Sequence, residues 1–575
     1  MNIFEHHLTE IKDLILIKKS ILKIDQIDNL NGVVLEVPPE HFNYDLSCNI
    51  AMVLGKKNKI NPKTLATNLK NIFLDNLTSF SEVDIAGPGF LNIKLSKSAL
   101  LNNINSILDN SSDYGAIKEN ESYNIEFVSA NPTGPMHVGH CRGAIYGDVL
   151  ANLLTFNGNK VTKEYYINDY GNQINNFVES VYFRILEIKH KKNFPNKENL
   201  YPGLYIKDLA KEIIKDNSNK DFSNLNNNFE FLKKESLKKS MAIIQKDLRL
   251  LGITHDNFFS ETEIVEKDLV KKAIKILKEK NFVEEGYLQP PKGENDENWK
   301  KTKRLVFKST LFGDDTDRAL KKNDGSWTYF ANDVAYHMDK VNRNYKNLIN
   351  ILGADHTGYI KRITAAVSAL SENKIKLNCK VCQLVKLYKS GQPYKMSKRA
   401  GDFIELKDLV LAVGKDAVRF MMVYRNTDSQ LDFDFDIVTD KSKDNPVFYV
   451  QYATARINSL FRKLKLNINE EILDVDLSLI KDKHEINIIK KISEWPHVID
   501  LSSKNLEPHR IPYYLYELSS YFHTYWNMGK NNDSFKIIDN KNKELVKARI
   551  YLIKKIYFIL EKGLNILNVA VLKEM

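Results

Sequence analysis

The stretch Tyr123-Asn124-Ile125-Glu126-Phe127-Val128, with Asn131-Pro132-Thr133-Gly134-Pro135 and Met136-His137-Val138-Gly139-His140 after it, decides the fold. Its first six residues read as a strand, the Pro/Gly-rich segment as a turn, and the text from about Gly139 to Leu154 as a helix. Strand, glycine turn and helix open a nucleotide-binding βαβ unit. The start of such a helix offers free backbone N–H groups and the positive end of a dipole, which suit a phosphate. Gly139 lets an adenine ring lie close against the backbone. His137 and His140 can each donate a hydrogen bond to phosphate oxygens as charge develops. Two ordinary helix-end histidines are the plain alternative, because H-x-G-H alone is only moderately specific.

Working outward, strand–helix alternation resumes near Leu348-Ile349-Asn350-Ile351-Leu352, after a helix- and lysine-rich insertion over about 171–322. The expected fold class is α/β: a Rossmann-type parallel-sheet domain over 118–385 carrying that insertion. Before it, a helix over 3–30, a strand Val33–Val37, helical text Ile60–Leu77 and a strand Gly89–Leu95 predict a small α+β domain, 1–112. After it, a loop-bearing subdomain is expected over 386–440. Long helical periodicity without strand patterns predicts an all-α C-terminal domain, 441–575.

Composition sets bounds. The 575 residues exceed one domain, and the net charge of +11 is compatible with a polyanionic partner, or with nothing more than a lysine-rich composition. Four cysteines rule out a disulfide scaffold and fit a reducing compartment. Cys379 and Cys382 have zinc spacing, but no second Cys/His pair stands nearby, so they read as small residues entering a buried strand and no metal site is expected. No apolar run approaches the roughly 18–20 residues of a membrane span. No signal-like N-terminal segment is present either, so the expectation is cytoplasmic, without membrane.

A second motif lies far downstream: Tyr394-Lys395-Met396-Ser397-Lys398-Arg399-Ala400-Gly401-Asp402. Two lysines separated by Met-Ser can meet the charge of a leaving pyrophosphate. Together with the histidine motif it resembles the paired signatures of class I aminoacyl-tRNA synthetases. The flanking text is similar to the arginyl-tRNA synthetase family: Glu126-Phe127-Val128-Ser129-Ala130-Asn131-Pro132, Tyr449-Val450-Gln451-Tyr452-Ala453-Thr454-Ala455-Arg456, and Glu507-Pro508-His509-Arg510 near the end.

That resemblance implies an enzyme that activates L-arginine with ATP and Mg²⁺ and transfers it to the 2′-OH of the tRNA(Arg) terminal adenosine. It also suggests that activation needs bound tRNA. It implies His137, His140, Lys395 and Lys398 as catalytic residues, with Gly139, Met396 and Ser397 at the ATP. Arginine would be met by Glu126, Ser129, Asn131, Tyr329, Asp333 and Asp355 (or His356): Glu126 and Asp333 on the guanidinium, Tyr329 beside it, Asn131 on the α-amino group. Paired carboxylates suit that role physically, since planar bidentate pairing separates arginine from lysine. A salt bridge is the bland reading of Glu126 and Asp333. For tRNA, the resemblance implies Phe90 and Asn92 at the elbow, and Tyr449, Tyr452, Arg456 and Met575 in an anticodon-binding domain; core packing is the alternative for the aromatics.

Where some members carry a lysine between the asparagine and the first histidine, this chain has Gly134. Phosphate charge should then be met chiefly from Lys395 and Lys398. A monomer without editing activity is expected. The competing readings are a synthetase for another amino acid, such as cysteine, and a non-catalytic RNA-binding relative.

Overall fold

A computed structural model describes residues 2–27, 30–106, 113–288, 302–394, 404–537 and 542–575. The expected loop residues Lys395, Met396, Ser397 and Lys398 lie outside them. The chain forms two compact units: Met1–Ile117 with Lys441–Asn565 and Ala570–Met575, and Lys118–Asp440 with Ile566–Val569. No helix among the described residues is long and apolar enough to cross a membrane.

In the first unit β1 (Leu35–Glu36), β2 (Leu46–Cys48), β3 (Phe80–Ala86) and β4 (Phe90–Leu95) form an antiparallel sheet in the order β1-β2-β4-β3. The first helix, expected over 3–30, stops at Leu22, where Lys23 turns left-handed and its N–H closes on the carbonyls of Lys19 and Ser20. The Pro62–Asn76 helix starts on the Asn61 side chain with proline in its first turn. Helices Pro446–Lys463, Lys483–Ser493, Trp495–Lys504 and Arg510–Asn531 belong to the same unit. The buried indole of Trp495 donates to the Tyr114 carbonyl at 3.1 Å, and Lys490 pairs with Asp45 at 2.6 Å. The two terminal regions, read from sequence as separate domains, fall in one compact unit.

The second unit is built on a five-stranded parallel sheet: β5 (Ser122–Glu126), β6 (Lys160–Ile167), β7 (Asn257–Ser260), β11 (Asn347–Gly353) and β12 (Lys376–Cys382), ordered β12-β11-β5-β6-β7. Around it lie two three-stranded sheets, one of β8 (Val283–Tyr287), β9 (Lys303–Phe307) and β10 (Arg318–Ala319), the other of β13 (Val385–Lys389), β14 (Gln392–Pro393) and β15 (Leu431–Asp434). The stretch read as a helix- and lysine-rich insertion also supplies a strand of the main sheet, β7. Four residues are too few to show alternation, which is why the strand escapes a periodicity reading. Helices Asn172–His190, Leu204–Asp216 and Leu225–Leu250 pack around Phe177, Val181, Ile206 and Ile213.

From β5 the sheet continues to β6 on one side and to β11 on the other. The carboxyl ends of β5 and β11 therefore form a topological switch point, where such sheets bind ligands. The Val138–Phe156 helix lies close on β5: a Cβ on Gly147 would come within 2.3 Å of the Phe127 ring. Buried Arg419 ties this unit together, donating to the Leu567 and Leu251 carbonyls and to Asp148.

Candidate active site

The histidine turn forms as a capped helix start. His137 is the N-cap; its Nδ1 accepts the Gly139 N–H at 3.1 Å, and Nδ1 of His140 accepts the His137 N–H at 3.3 Å. The rings stack 3.8 Å apart. Burial lowers the pKa of His137, and burial with His137 alongside lowers that of His140 to about 4, so both rings are neutral near pH 7. A neutral imidazole whose Nδ1 accepts must carry its proton on Nε2. Both rings thus present an Nε2–H donor. A Cβ on Gly139 would fall 2.8 Å from the His137 ring, so glycine is required for the cap itself.

This turn is tied to the far end of the lysine-loop motif. The Val138 N–H donates to the Ile404 carbonyl and the Leu406 N–H to the Met136 carbonyl, each at 2.9 Å, and His137 bridges Glu405. On the loop's other side, the Tyr394 N–H bonds the Leu387 carbonyl and its ring meets Phe435 edge-on. Gly134 also has a local cause. A Cβ there would sit 3.0 Å from the Tyr205 phenol, which donates to the Thr133 carbonyl at 2.9 Å. The Leu204–Asp216 helix thereby closes the space a lysine would need at that position.

Across the sheet, Cys379, Asn350, Glu126, Glu164 and Asn257 stand in register, one from each strand. Over this polar row runs the Tyr329–Asn342 helix, with Asp333, Tyr336, His337 and Lys340 at spacings of three and four. Lys340, fully buried, donates to Glu126 Oε2 at 2.6 Å and to Asn350 Oδ1 at 3.1 Å. Ser129 Oγ donates to Glu126 Oε1 at 3.1 Å and accepts the Tyr166 N–H. Val128 and Ser129 both have positive φ, +72° and +41°, and this strained turn swings the serine hydroxyl back onto Glu126. Glu164 is a structural partner: burial would raise its pKa, but Arg343, Lys340 and Asn257 bring it down to about 2.

Asp333 lies opposite. Burial, aided by Glu126 and Glu261, pushes its pKa up to about 7, against the Tyr359 hydroxyl that donates to Oδ2 and the nearby Arg362. Its solvent accessibility is intermediate, yet the group is densely surrounded, and the surrounding atoms govern its desolvation. Glu261, held by Asn332 at 3.1 Å, is also raised by burial. The Tyr166 phenol is raised by burial and then by Glu261, Asp333, Glu126 and Asp169, which marks a strongly acidic pocket. Such a pocket suits a cation.

The remaining expected residues are placed less centrally. Asn131 is exposed, its amide on Gln173 at 2.7 Å. Tyr329 opens its helix 77% exposed, with Lys322 over its ring, and does not pack on the carboxylates. Asp355 also departs from expectation: it points outward beside His356, because the 3-10 turn after β11 carries it into solvent. Cys379 and Cys382 lie on β12, as expected of strand residues, with burial pushing both thiols up to about 12. Lys340, Asn350, His337, Tyr359, Glu261 and Tyr166 were missed; the polar stripe 333/336/337/340 was the signal that could have found four of the pocket's residues, Tyr336 among them.

In the first unit, Phe90 is half-buried, but Asn92 is 2% exposed with Oδ1 accepting from Ser47 at 2.8 Å. Tyr449, Tyr452 and Arg456 form one cluster with His523: Arg456 donates to the Tyr452 hydroxyl at 2.6 Å, lies 4.3 Å over its ring and reaches His523 Nδ1 at 2.9 Å. Met575 is 59% exposed.

Comparison with known proteins agrees with this arrangement. Residues 103–459 match the family described as tRNA synthetases class I (R), catalytic domain; 11–95 match the arginyl tRNA synthetase N terminal domain; and 450–575 match the DALR anticodon binding domain. The chain is 51% identical to the arginine–tRNA ligase of Pelagibacter ubique and 43% identical to that of Bartonella quintana, over 100% of each chain. Its fold is that of the Thermus thermophilus arginyl-tRNA synthetase (TM-score 0.72, 18% identity, 94% of this chain and 96% of that one). A histidine-capped helix at the switch point, an acidic pocket beside it and full-length likeness at this level place the chain in the arginyl-tRNA synthetase family.

Proposed function

We propose that the chain, as an arginine–tRNA ligase, works in two steps. The arginine carboxylate attacks the α-phosphorus of magnesium-bound ATP, a P–O bond breaks and pyrophosphate leaves. The 2′-OH of the terminal adenosine of tRNA(Arg) then attacks the carbonyl of the adenylate and AMP departs. Glu126 and Asp333 hold the guanidinium, and Ser129 orients Glu126. The Nε2–H groups of His137 and His140 stabilise charge on the phosphate, and Lys395 and Lys398 meet the pyrophosphate. Asn131 is assigned to the α-amino group; Asp355 and Tyr329 would have to turn inward on binding. The acidic pocket at Glu126 and Asp333 carries this reading.

Pyrophosphate exchange tests it. Exchange should depend on arginine, fail with the other amino acids and require tRNA(Arg). Exchange with cysteine, or none with any amino acid, would overturn the reading. Editing is unnecessary, because a neutral side chain would leave a buried carboxylate unpaired at about 3–5 kcal/mol. Hydrolysis of misacylated tRNA by the purified enzyme would contradict that.

A pH dependence follows from Asp333. Its free-state pKa near 7 lies above the usual carboxylate range, and guanidinium binds the ionised form. Only a minority of molecules are competent at pH 6 and nearly all at pH 8. The Kd for arginine, measured calorimetrically, should therefore be about tenfold weaker at pH 6 than at pH 8. His140, lowered to about 4, stays neutral over this range, and arginine keeps its charge. A flat Kd would refute the assignment.

A further inference from the structure

One directed chain of hydrogen bonds runs from the main chain at Asp333 to the Glu126 carboxylate. It begins at the main-chain carbonyl of Asp333, which can only accept, so His337 Nδ1 at 2.8 Å carries the proton. His337 Nε2 must then accept, and it takes the Asn350 amide N–H at 3.0 Å. That fixes the amide orientation and turns Asn350 Oδ1 toward Lys340, which donates to it at 3.1 Å. The same ammonium donates to Glu126 Oε2 at 2.6 Å. Each donor and acceptor role follows from the one before, with no ambiguous rotor between the helix and Glu126.

The chain is dry. Lys340 has no exposed surface, Asn350 is 5% and His337 3% exposed, and burial lowers the His337 pKa to about 4, so the ring is neutral and serves as a fixed dipole. Lys340 also lies 4.5 Å over the Tyr336 ring. Charged or titratable groups facing the ammonium and Glu126 come from every packed element: Glu164 on β6, Cys379 on β12, Asp333, Tyr336, His337 and Arg343 on the helix and beyond its end, and Tyr166 above. Arg343 is engaged by Glu164, which leaves Lys340 as the cation bonded to Glu126 among the described residues.

We propose that Lys340, aligned by Asn350 and His337, is a positioning residue for arginine selection: it holds the Glu126 carboxylate in one rotamer. The role rests on the reading that Glu126 receives the guanidinium. A buried carboxylate left alone would take up a proton or rotate toward another donor. Here one oxygen is anchored to Lys340 and the other to Ser129, so the plane of the carboxylate is fixed before substrate arrives and bidentate geometry costs no reorganisation. A fixed plane is what a guanidinium reads and an ammonium does not.

The test is a double-mutant cycle on the full enzyme with tRNA, read as KM for arginine, KM for ATP and kcat. Glu126→Gln alone should raise the arginine KM at least about a hundredfold; if it does not, the pocket reading itself fails. Lys340→Met should raise the arginine KM about thirtyfold or more, leave the ATP KM within about twofold, and add almost nothing when Glu126 is already glutamine. Additive effects in the double variant, or a kcat loss with an unchanged arginine KM, would overturn the positioning role while leaving the pocket reading intact. Should Lys340→Met fail to fold, Asn350→Ala serves instead: it keeps the ammonium but removes its alignment, and should raise the arginine KM several-fold, again only when Glu126 is present. An Asn350→Ala enzyme with unchanged arginine KM overturns the proposal equally.

Discussion

Asp333→Asn should lower kcat/KM for arginine about a thousandfold, since breaking a buried ion pair costs about 3–5 kcal/mol and about 1.4 kcal/mol is a factor of ten. The amide keeps an acceptor for the Tyr359 hydroxyl but loses the charge, and it turns a donor toward a guanidinium that only donates. The tenfold change in arginine Kd between pH 6 and pH 8 should vanish with it. Stability should move the other way. A carboxyl whose folded-state pKa is raised contributes stability that is full below its unfolded value, near 3.9, and is lost as pH rises through 7. At pH 8 the ionised Asp333 therefore weighs against the free fold, and Asp333→Asn should melt no lower than the parent and unfold later at that pH. Lost activity together with a lower melting temperature would mean that Asp333 is structural.

His140→Ala should lower kcat in pyrophosphate exchange about 10²–10³-fold, the usual loss on removing one preorganised donor to developing charge, while the arginine Kd stays unchanged. The tautomer sharpens this. Because Nδ1 of His140 accepts the His137 N–H, the proton offered to phosphate is on Nε2. Glutamine can place an amide N–H near that position, whereas asparagine places it near Nδ1. His140→Gln should therefore retain more activity than His140→Asn. The reverse order would mean that the ring flips in the working enzyme.

Much of this site was legible in the text. The H-x-G-H turn lies where strand gives way to helix, so its cap geometry is a local matter that propensity and capping rules reach. Asp333, four residues after Tyr329, was legible through a resemblance, although Tyr329 itself faces solvent. Lys340 was hidden by its own chemistry: a lysine on a helix reads as a solvated surface residue, and only the register of β5 with β11 shows that two acceptors meet it in the interior. Asn92 shares the face of Phe90, as alternation puts it, and only the pairing of strands shows that Ser47 donates to its carbonyl oxygen and that the residue is 2% exposed.

By itself the sequence determined the local elements and their chemistry: a parallel α/β unit opened by a histidine-capped helix, an α+β region before it and an all-α region after it. Periodicity and capping act over a few residues, so a linear reading captures them. Only the tertiary structure decided that the N-terminal and C-terminal regions form one compact unit, that β7 joins the main sheet, and that Ile404–Leu406 bonds back onto the histidine turn. It alone also decided that Glu126 would be met by Lys340 before any substrate arrives. Those outcomes depend on strand order and on which buried polar groups find partners. Such pairings join residues hundreds of positions apart, and they are set by desolvation and register rather than by neighbouring text.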